Sequence, residues 1–360
     1  MPRTDSQRAL DTLVYALENH PELLKDVQSI GYLRGQMHDG LLSLCGKTEC
    51  IQPYKPRHQD LVAAGFQMVD ALSPERDLVL ILPERQKEQV FSDMARALDA
   101  LKPGGRVLVS LHNDWGARRF QDQLEAITGN IEVVTKHHCR AFWAVKPDTL
   151  NQEAMNEWRA AASLRKVLED RFWSRPGLFS WNRVDEGSAL LMSAVRGELK
   201  GKVADLGCGW GYLSCEVLAS CHDVTALDGF DADMEAVEAA RRNVGNVMVP
   251  FRPRIHWADV TQGVGDRLYD VVVTNPPFHE GREPDPTLGT KFLATAARAL
   301  KPHGVLWLVA NQFLPYEAPL GEVFDHAQMV ANESGFKVMR AAMPRHDLFF
   351  RPAKRGYRRS

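Results

Sequence analysis

Short apolar runs alternating with longer amphipathic segments predict an α/β protein made of two tandem copies of one doubly wound, parallel-sheet fold. Three observations carry this. The runs at 77–82, 106–111, 203–206, 224–228, 270–274 and 305–310 are rich in Val, Leu and Ile and have the length of buried strands. Segments of helical period, such as 232–243 and 287–300, lie between them. One phrase also occurs twice, as ALKPGGRVLVS (100–110) and ALKPHGVLWLVA (299–310). Each copy reads as a helix end, a Lys-Pro turn with glycine and a buried strand. Asp77 and Asp270 open the strand that precedes each copy, at nearly the same offset, as an internal duplication requires.

The 360 residues suit two cores better than one. The expected division is a first domain over 1–150, a polar linker helix over 151–170, a second domain over 171–345 and a basic tail over 346–360. Apolar content of 44% and charged content of 25% are those of a soluble globular chain, and a net charge of −2 gives no global nucleic-acid signature. A polyanionic partner must be held by a local patch. The amino terminus, MPRTDSQRALDTLVYALENH, is charged throughout and does not read as a signal peptide. No apolar run approaches the ~18 residues a membrane span needs. The six cysteines (45, 50, 139, 208, 215, 221) form no C-x-x-C pair, so reduced thiols in a cytoplasmic protein are expected. His137, His138 and Cys139 are adjacent, but as strand neighbours they would face opposite sides. No metal site is expected.

In KVADLGCGWGYLS (202–214) a buried strand runs into Gly207, Gly209 and Gly211 and then a helix. Glycines here permit positive φ and let a ligand approach the backbone. Tyr212 stands where a dinucleotide fingerprint needs its last glycine, and no Walker lysine follows. With Asp205 the motif is D-x-G-x-G-x-G, the pattern of S-adenosyl-L-methionine-binding methyltransferases. The next strand, DVTALD, is expected to end at Asp228, whose carboxylate would accept hydrogen bonds from both ribose hydroxyls. The third, RIHWADV, ends at Asp259, where such methyltransferases place a group near the adenine amine.

The fourth strand ends in DVVVTNPPFHE (270–280). Methylating an exocyclic amine requires its lone pair, normally delocalised into the ring, to point at the methyl carbon. Two fixed acceptors on the amine's N–H bonds would hold that geometry and favour the charge developing on nitrogen. The Asn275 side-chain oxygen and the Pro276 carbonyl are suitable acceptors. Pro276 and Pro277 stiffen the loop beside the substrate, and Phe278 offers a stacking face. In isolation N-P-P is also an ordinary strand-ending turn; its place after the glycine motif favours the chemical reading. His279 is either a substrate contact or a solvent-facing loop residue. In the first copy, DLVLILPERQK from Asp77, Leu82, Glu84 and Arg85 replace the amide, the second proline and the ring.

Together FSWNRVDEGSALLM (179–192), VADLGCGWG (203–211), TNPPFHEG (274–281), VANQFLPYEAPLGEVF (309–324) and FKVMRA (336–341) resemble the bacterial ribosomal RNA guanine-N2 methyltransferases with tandem methyltransferase-like domains. The likeness covers roughly 170 to 343 and is closer to the small-subunit (16S) enzymes. It implies two tandem class I (Rossmann-like) methyltransferase domains, the amino-terminal one degenerate and given to RNA recognition. It implies S-adenosyl-L-methionine as cofactor, the N2 amine of a guanine as acceptor, and ribosomal RNA or the small ribosomal subunit as partner. The family's pre-motif packs over the cofactor, which would bring Phe179, Ser180, Asp185 and Gly187 near it, although WNRV (181–184) replaces the usual spacer. GLLSLCGKTEC (40–50) is read as a remnant of the glycine turn in the first copy. The tail RPAKRGYRRS offers Arg355 and Arg358, among other cations, to phosphates, or is simply solvated. Tandem copies suggest a monomer with a built-in pseudo-dimer. The same transfer to 23S guanine, DNA adenine or protein glutamine stays open, as does a non-catalytic assembly factor.

Overall fold

Asp77 and Asp270 perform one task in the two halves of the chain. Asp77 accepts the backbone N–H groups of Gln28 and Ser29, both at 2.8 Å, and pairs with Lys102 at 2.5 Å. Asp270 accepts the N–H of Lys202 at 2.8 Å and pairs with Lys301 at 2.7 Å. Each therefore ties the start of its strand to the beginning of one neighbouring strand and to the lysine of the repeated phrase beginning the other. This computed structural model describes residues 3–277, 279–280, 283–284 and 286–348.

The chain begins with α1 (Asp5–Asn19), β1 (Ile30–Leu33), β2 (Thr48–Ile51), α2 (Lys55–Ala63), β3 (Gln67–Met68) and β4 (Arg76–Ile81). It continues through α3 (Lys87–Ala100), β5 (Leu101–His112), α4 (Ala117–Thr128), β6 (Ile131–Lys136), β7 (Cys139–Val145) and α5 (Gln152–Ala161). Two short strands, β8 (Arg165–Val167) and β9 (Phe172–Ser174), precede α6 (Glu186–Val195), β10 (Lys200–Leu206), α7 (Tyr212–Ser220) and β11 (Asp223–Asp231). Next come α8 (Met234–Gly245), β12 (Arg254–Trp257), β13 (Tyr269–Thr274), β14 (His279–Glu280) and β15 (Glu283–Pro284). The last elements are α9 (Pro286–Ala299), β16 (Leu300–Asn311), α10 (Glu317–Val323), β17 (Phe324–Glu333) and β18 (Phe336–Pro344).

Two seven-stranded sheets result, ordered β3-β2-β1-β4-β5-β7-β6 and β12-β11-β10-β13-β16-β18-β17. The orders match strand for strand, so β1 corresponds to β10 and β4 to β13. In each sheet the first five strands are parallel and the last two pairings are antiparallel, so that β7 and β18 run against the rest, a departure from the all-parallel expectation. The missed hairpins have a physical reason: β17 is exposed along most of its length and so lacks an apolar run. In the other hairpin His137 and His138 are not strand neighbours. They form the two-residue turn, with φ of 53° and 60°. The repeated Lys-Pro segments also lie within strands, as bulges: Arg76 pairs with Leu101 but Leu78 with Arg106.

Contacts divide the chain into two compact units, one of residues up to Lys166 with Ser174–Asn182, the other of Val167–Trp173 with Arg183 onward. Helix α5, expected to be linker, belongs to the first. Its polar surface hides an i, i+3 pair, Met155 and Trp158, buried in the core beside Phe91, whose ring lies 5.2 Å from that of Trp158. Among the described residues no helix is long and apolar enough to cross a membrane.

In the first unit the position of the glycine turn is the stretch after β1, not GLLSLCGKTEC, which forms a 3₁₀ turn and the start of β2. There Arg34 adopts φ 53°, close to the 74° of Gly207 at the end of β10. Its buried guanidinium pairs with the buried Asp93 at 2.5 Å. Tyr32 occupies the strand position of Asp205, and its hydroxyl donates to the Gln36 carbonyl at 3.1 Å. A buried ion pair and a tyrosine thus stand where the second copy has glycine and Asp205, in keeping with a degenerate first copy.

The two strand-start aspartates make stability depend on acid. The Lys102 ammonium holds the Asp77 carboxyl well below the usual carboxylate range. Partial burial raises Asp270, but the Lys202 N–H and Lys301 outweigh it, and the net shift is downward. A carboxyl depressed in the folded state stabilises above its unfolded value of about 4, and that contribution fades as pH falls below it. Asp77→Asn should therefore lower the urea midpoint at pH 6, and the gap should narrow as pH falls below about 4 and close only below the depressed folded value. A constant gap across that interval would show that Asp77 acts through packing alone.

Candidate functional site

Ligands of doubly wound sheets bind beyond the carboxyl ends of the parallel strands, and in the second unit the unusual residues collect there. Strand β10 ends at Leu206 and passes into Gly207, Gly209 and Gly211, with φ of 74°, 54° and 89°. The glycines have different tasks. A Cβ on Gly211 would lie 3.1 Å from the Ala240 Cα, so Gly211 lets α7 pack on α8. A Cβ on Gly209 would meet none of the described residues within 4 Å, which leaves that backbone open to a ligand. A Cβ on Gly207 would come 3.3 Å from the Phe292 ring and 3.9 Å from the Pro277 ring.

Asp205, one residue before the end of β10, is fully buried. Its Oδ2 accepts the Ser214 hydroxyl at 2.7 Å, while Oδ1 is buried with no partner among the described residues. Burial pushes its carboxyl up to about 7, against the Ser214 hydrogen bond.

Asp228 does not end its strand. Strand β11 continues to Asp231, because Gly229 and Phe230 remain paired with β10 and β12. The Asp228 carboxylate receives Arg254 Nε (2.7 Å), Arg254 Nη2 (2.9 Å), Arg267 Nη1 (3.0 Å) and the Tyr269 hydroxyl (2.8 Å). These four donors, with the His256 Nε2 3.3 Å from Oδ1, use the acceptor capacity of the carboxylate, and none remains for a ribose. Asp228 is a structural anchor, which corrects the sequence expectation. The acid at the cradle is Asp231: its Oδ2 accepts the Gly209 N–H at 2.8 Å and its Oδ1 the Asp233 N–H at 2.9 Å. Asp259 lies just beyond β12, and its Oδ1 accepts both the N–H (2.9 Å) and the hydroxyl (2.7 Å) of Thr261. Strand β12 is joined to Asp231 by the Ala258 N–H, 2.8 Å from the Asp231 carbonyl.

Strand β13 is in register with β10, Thr274 opposite Leu206, and the Thr274 hydroxyl donates to the Leu206 carbonyl at 2.6 Å. Asn275 and Gly207 are thus the next residues on neighbouring strands. The Asn275 Nδ2 donates to Asp185 Oδ2 and to Ser188 Oγ, both at 2.8 Å. Its Oδ1 is then the end left to accept. Pro276 is buried and Pro277 exposed.

Asp185 is the N-cap of α6, accepting the Ser188 N–H at 2.9 Å. It reaches Asn275 rather than the glycine turn. Gly187 permits close packing: a Cβ there would lie 2.7 Å from the Phe336 ring. Phe179, 66% exposed, and Ser180, with φ 46°, are grouped with the first unit, apart from the Asp185 and Gly187 of the same motif. His279 is placed only by its backbone, in β14 opposite Pro284. Phe278, Arg355 and Arg358 lie outside the described residues. Sequence reasoning missed Asp231, Ser188 and Ser214. Asp231 could have been found from Asp233, a helix N-cap, which sets the strand end at 231.

A Methyltransferase small domain family model matches residues 169–340. Among solved structures, the T. thermophilus 16S rRNA N2 G1207 methyltransferase in complex with AdoMet and guanosine is similar. It superposes with a TM-score of 0.77, at 25% identity, over 93% of each chain. A Cronobacter sakazakii protein named Ribosomal RNA small subunit methyltransferase C is 32% identical over 75% of this chain and 76% of its own. The protein of the same name from Alcanivorax borkumensis is 34% identical over 63% of this chain and 68% of its own. This chain belongs to the ribosomal RNA small subunit methyltransferase C family. For a member of this family the cradle suits S-adenosylmethionine. The partnerless Asp205 Oδ1 is an acceptor in search of a donor, such as an amino group, and the open face of Gly209 admits a ligand against the backbone.

Proposed function

We infer that the second unit transfers the methyl group of S-adenosylmethionine to the exocyclic N2 amine of a guanine in 16S ribosomal RNA. One observation carries the reading: Asn275, beside the glycine turn, is anchored through its NH₂ and keeps its oxygen for a donor. When bound, the cofactor supplies an electrophilic methyl. Gly209 and Asp231 would hold its ribose side, Asp205 its amino group, and Asp259 its adenine. Asn275 Oδ1 and the Pro276 carbonyl accept the two N–H bonds of the target amine, fixing the nitrogen lone pair toward the methyl carbon. Those acceptors also favour the positive charge that grows on nitrogen, so no strong general base is needed. Phe278 is assigned as the stacking face for a base turned out of its helix, with Pro277 and His279 beside it. The first unit and the tail, with Arg355 and Arg358, are assigned to RNA recognition, and the chain is assigned to the cytoplasm as a monomer.

The reading is tested by offering labelled S-adenosylmethionine with naked 16S RNA, assembled small subunits, 23S RNA and DNA. Label in 16S RNA, free or in the subunit, is expected. Label confined to 23S RNA or DNA would move the chemistry to another amine.

A further inference from the structure

We propose that Asp185 and Ser188 are positioning residues that decide which end of the Asn275 carboxamide meets the substrate. The inference rests on the role given to Asn275 above. A carboxamide has two ends of nearly equal size, one a donor and one an acceptor, and only its neighbours can fix which faces outward. A carboxylate accepts and cannot donate, so Asp185 Oδ2, at 2.8 Å, selects the NH₂ end of Asn275. Ser188 Oγ, also at 2.8 Å, accepts the second hydrogen of the same group. A flipped amide would set its oxygen against the carboxylate.

The pair is itself held. Asp185 Oδ2 also accepts the Ser188 N–H at 2.9 Å, so one oxygen serves as helix cap and as amide anchor. The first turn of α6 cannot move toward β18, because the Phe336 ring fills the space against Gly187. Phe336 in turn pairs with Asn311 at the end of β16. The D-x-G-S run at 185–188 thus links the closing strands of the sheet to the outward oxygen of Asn275. It gives the site a preference for groups that bear N–H bonds, and makes Asp185 part of the amine-recognition machinery rather than a cofactor ligand.

The decisive test exchanges donor and acceptor. Asn275→Asp keeps an outward oxygen but opposes two carboxylates, and should lower kcat about 10²-fold. Asp185→Asn replaces the charged acceptor with a neutral carboxamide that keeps the cap in one orientation only, which weakens the selection and should lower kcat about tenfold. The double variant Asp185→Asn/Asn275→Asp lets the new amide at position 185 turn its NH₂ to the new carboxylate, giving up the cap on Ser188, and should recover at least about tenfold over Asn275→Asp alone. The affinity for S-adenosylmethionine, measured by calorimetry, should stay at the wild-type value in all three, which also shows that each is folded. A double variant as poor as the product of the single losses, with cofactor affinity intact, overturns the proposal. So does a loss of cofactor affinity with unchanged kcat in Asp185→Asn, which would make Asp185 a cofactor ligand. Full activity in Asn275→Ala instead removes the reading of the site itself, and this inference with it.

Discussion

Asn275→Ala should lower kcat for RNA methylation about 10²- to 10³-fold, with the dissociation constant of S-adenosylmethionine within about threefold of wild type. The substitution removes the only side-chain acceptor assigned to the amine and leaves the Pro276 carbonyl alone. A single acceptor fixes one N–H bond and lets the amine rotate about it, so the lone pair is no longer held in line with the methyl carbon. The separation of the two effects follows from where the bonds go. Asn275 donates to Asp185 and Ser188 on α6, whereas the cradle is held by Gly209, Asp231, Asp205 and Ser214. Single-turnover transfer and calorimetric titration check the two halves independently. A variant that methylates at the wild-type rate would remove Asn275 from the mechanism.

Asp231→Ala should weaken S-adenosylmethionine about 10- to 100-fold, because a charge-assisted acceptor contributes roughly 1.5–3 kcal/mol. It also releases the Gly209 N–H, the clamp that shapes the turn. Asp228→Ala should behave differently, leaving affinity near wild type while lowering the melting temperature. The buried Tyr269 hydroxyl loses its acceptor there, a cost of about 1–3 kcal/mol. Arg254 and Arg267 add little, since at 43% and 42% exposure water replaces their lost partner. Isothermal titration and thermal melts on the two variants separate the roles. If Asp228→Ala, still folded, loses cofactor affinity and Asp231→Ala does not, the assignment is reversed.

The contrast between these acids shows what was legible in the sequence. The duplication could be read because Asp77 with Lys102, and Asp270 with Lys301, are local pairs fixed by one repeated phrase. The glycine turn and N-P-P could be read because each needs particular backbone chemistry at a strand end. The choice between Asp228 and Asp231 could not be made from strand propensity alone. Gly229 looks like a strand stop, and only pairing with β10 on one side and β12 on the other keeps the strand going to Asp231. The saturation of Asp228 depends on Arg254, Arg267 and Tyr269, which arrive from distant segments. The Asp185–Asn275 bond spans 90 residues and has no local signature. The first copy's loss of the amine acceptor was visible at Leu82, but the arginine that stands for Gly207 is buried only because Asp93 from α3 neutralises it. Helix α5 was misplaced because the burial of Met155 and Trp158 is invisible in a segment whose composition is that of a linker.

The most direct measurement is the identity of the methylated nucleoside. 16S RNA is allowed to react with methyl-labelled S-adenosylmethionine, digested to nucleosides and separated, with Asn275→Ala in parallel. Label in N2-methylguanosine with the wild-type chain, and none with the variant, is the expected result. Label in N6-methyladenosine, or in guanosine methylated on a ring nitrogen, would contradict an active site built to hold an exocyclic guanine amine, as would N2-methylguanosine formed equally well without the Asn275 amide.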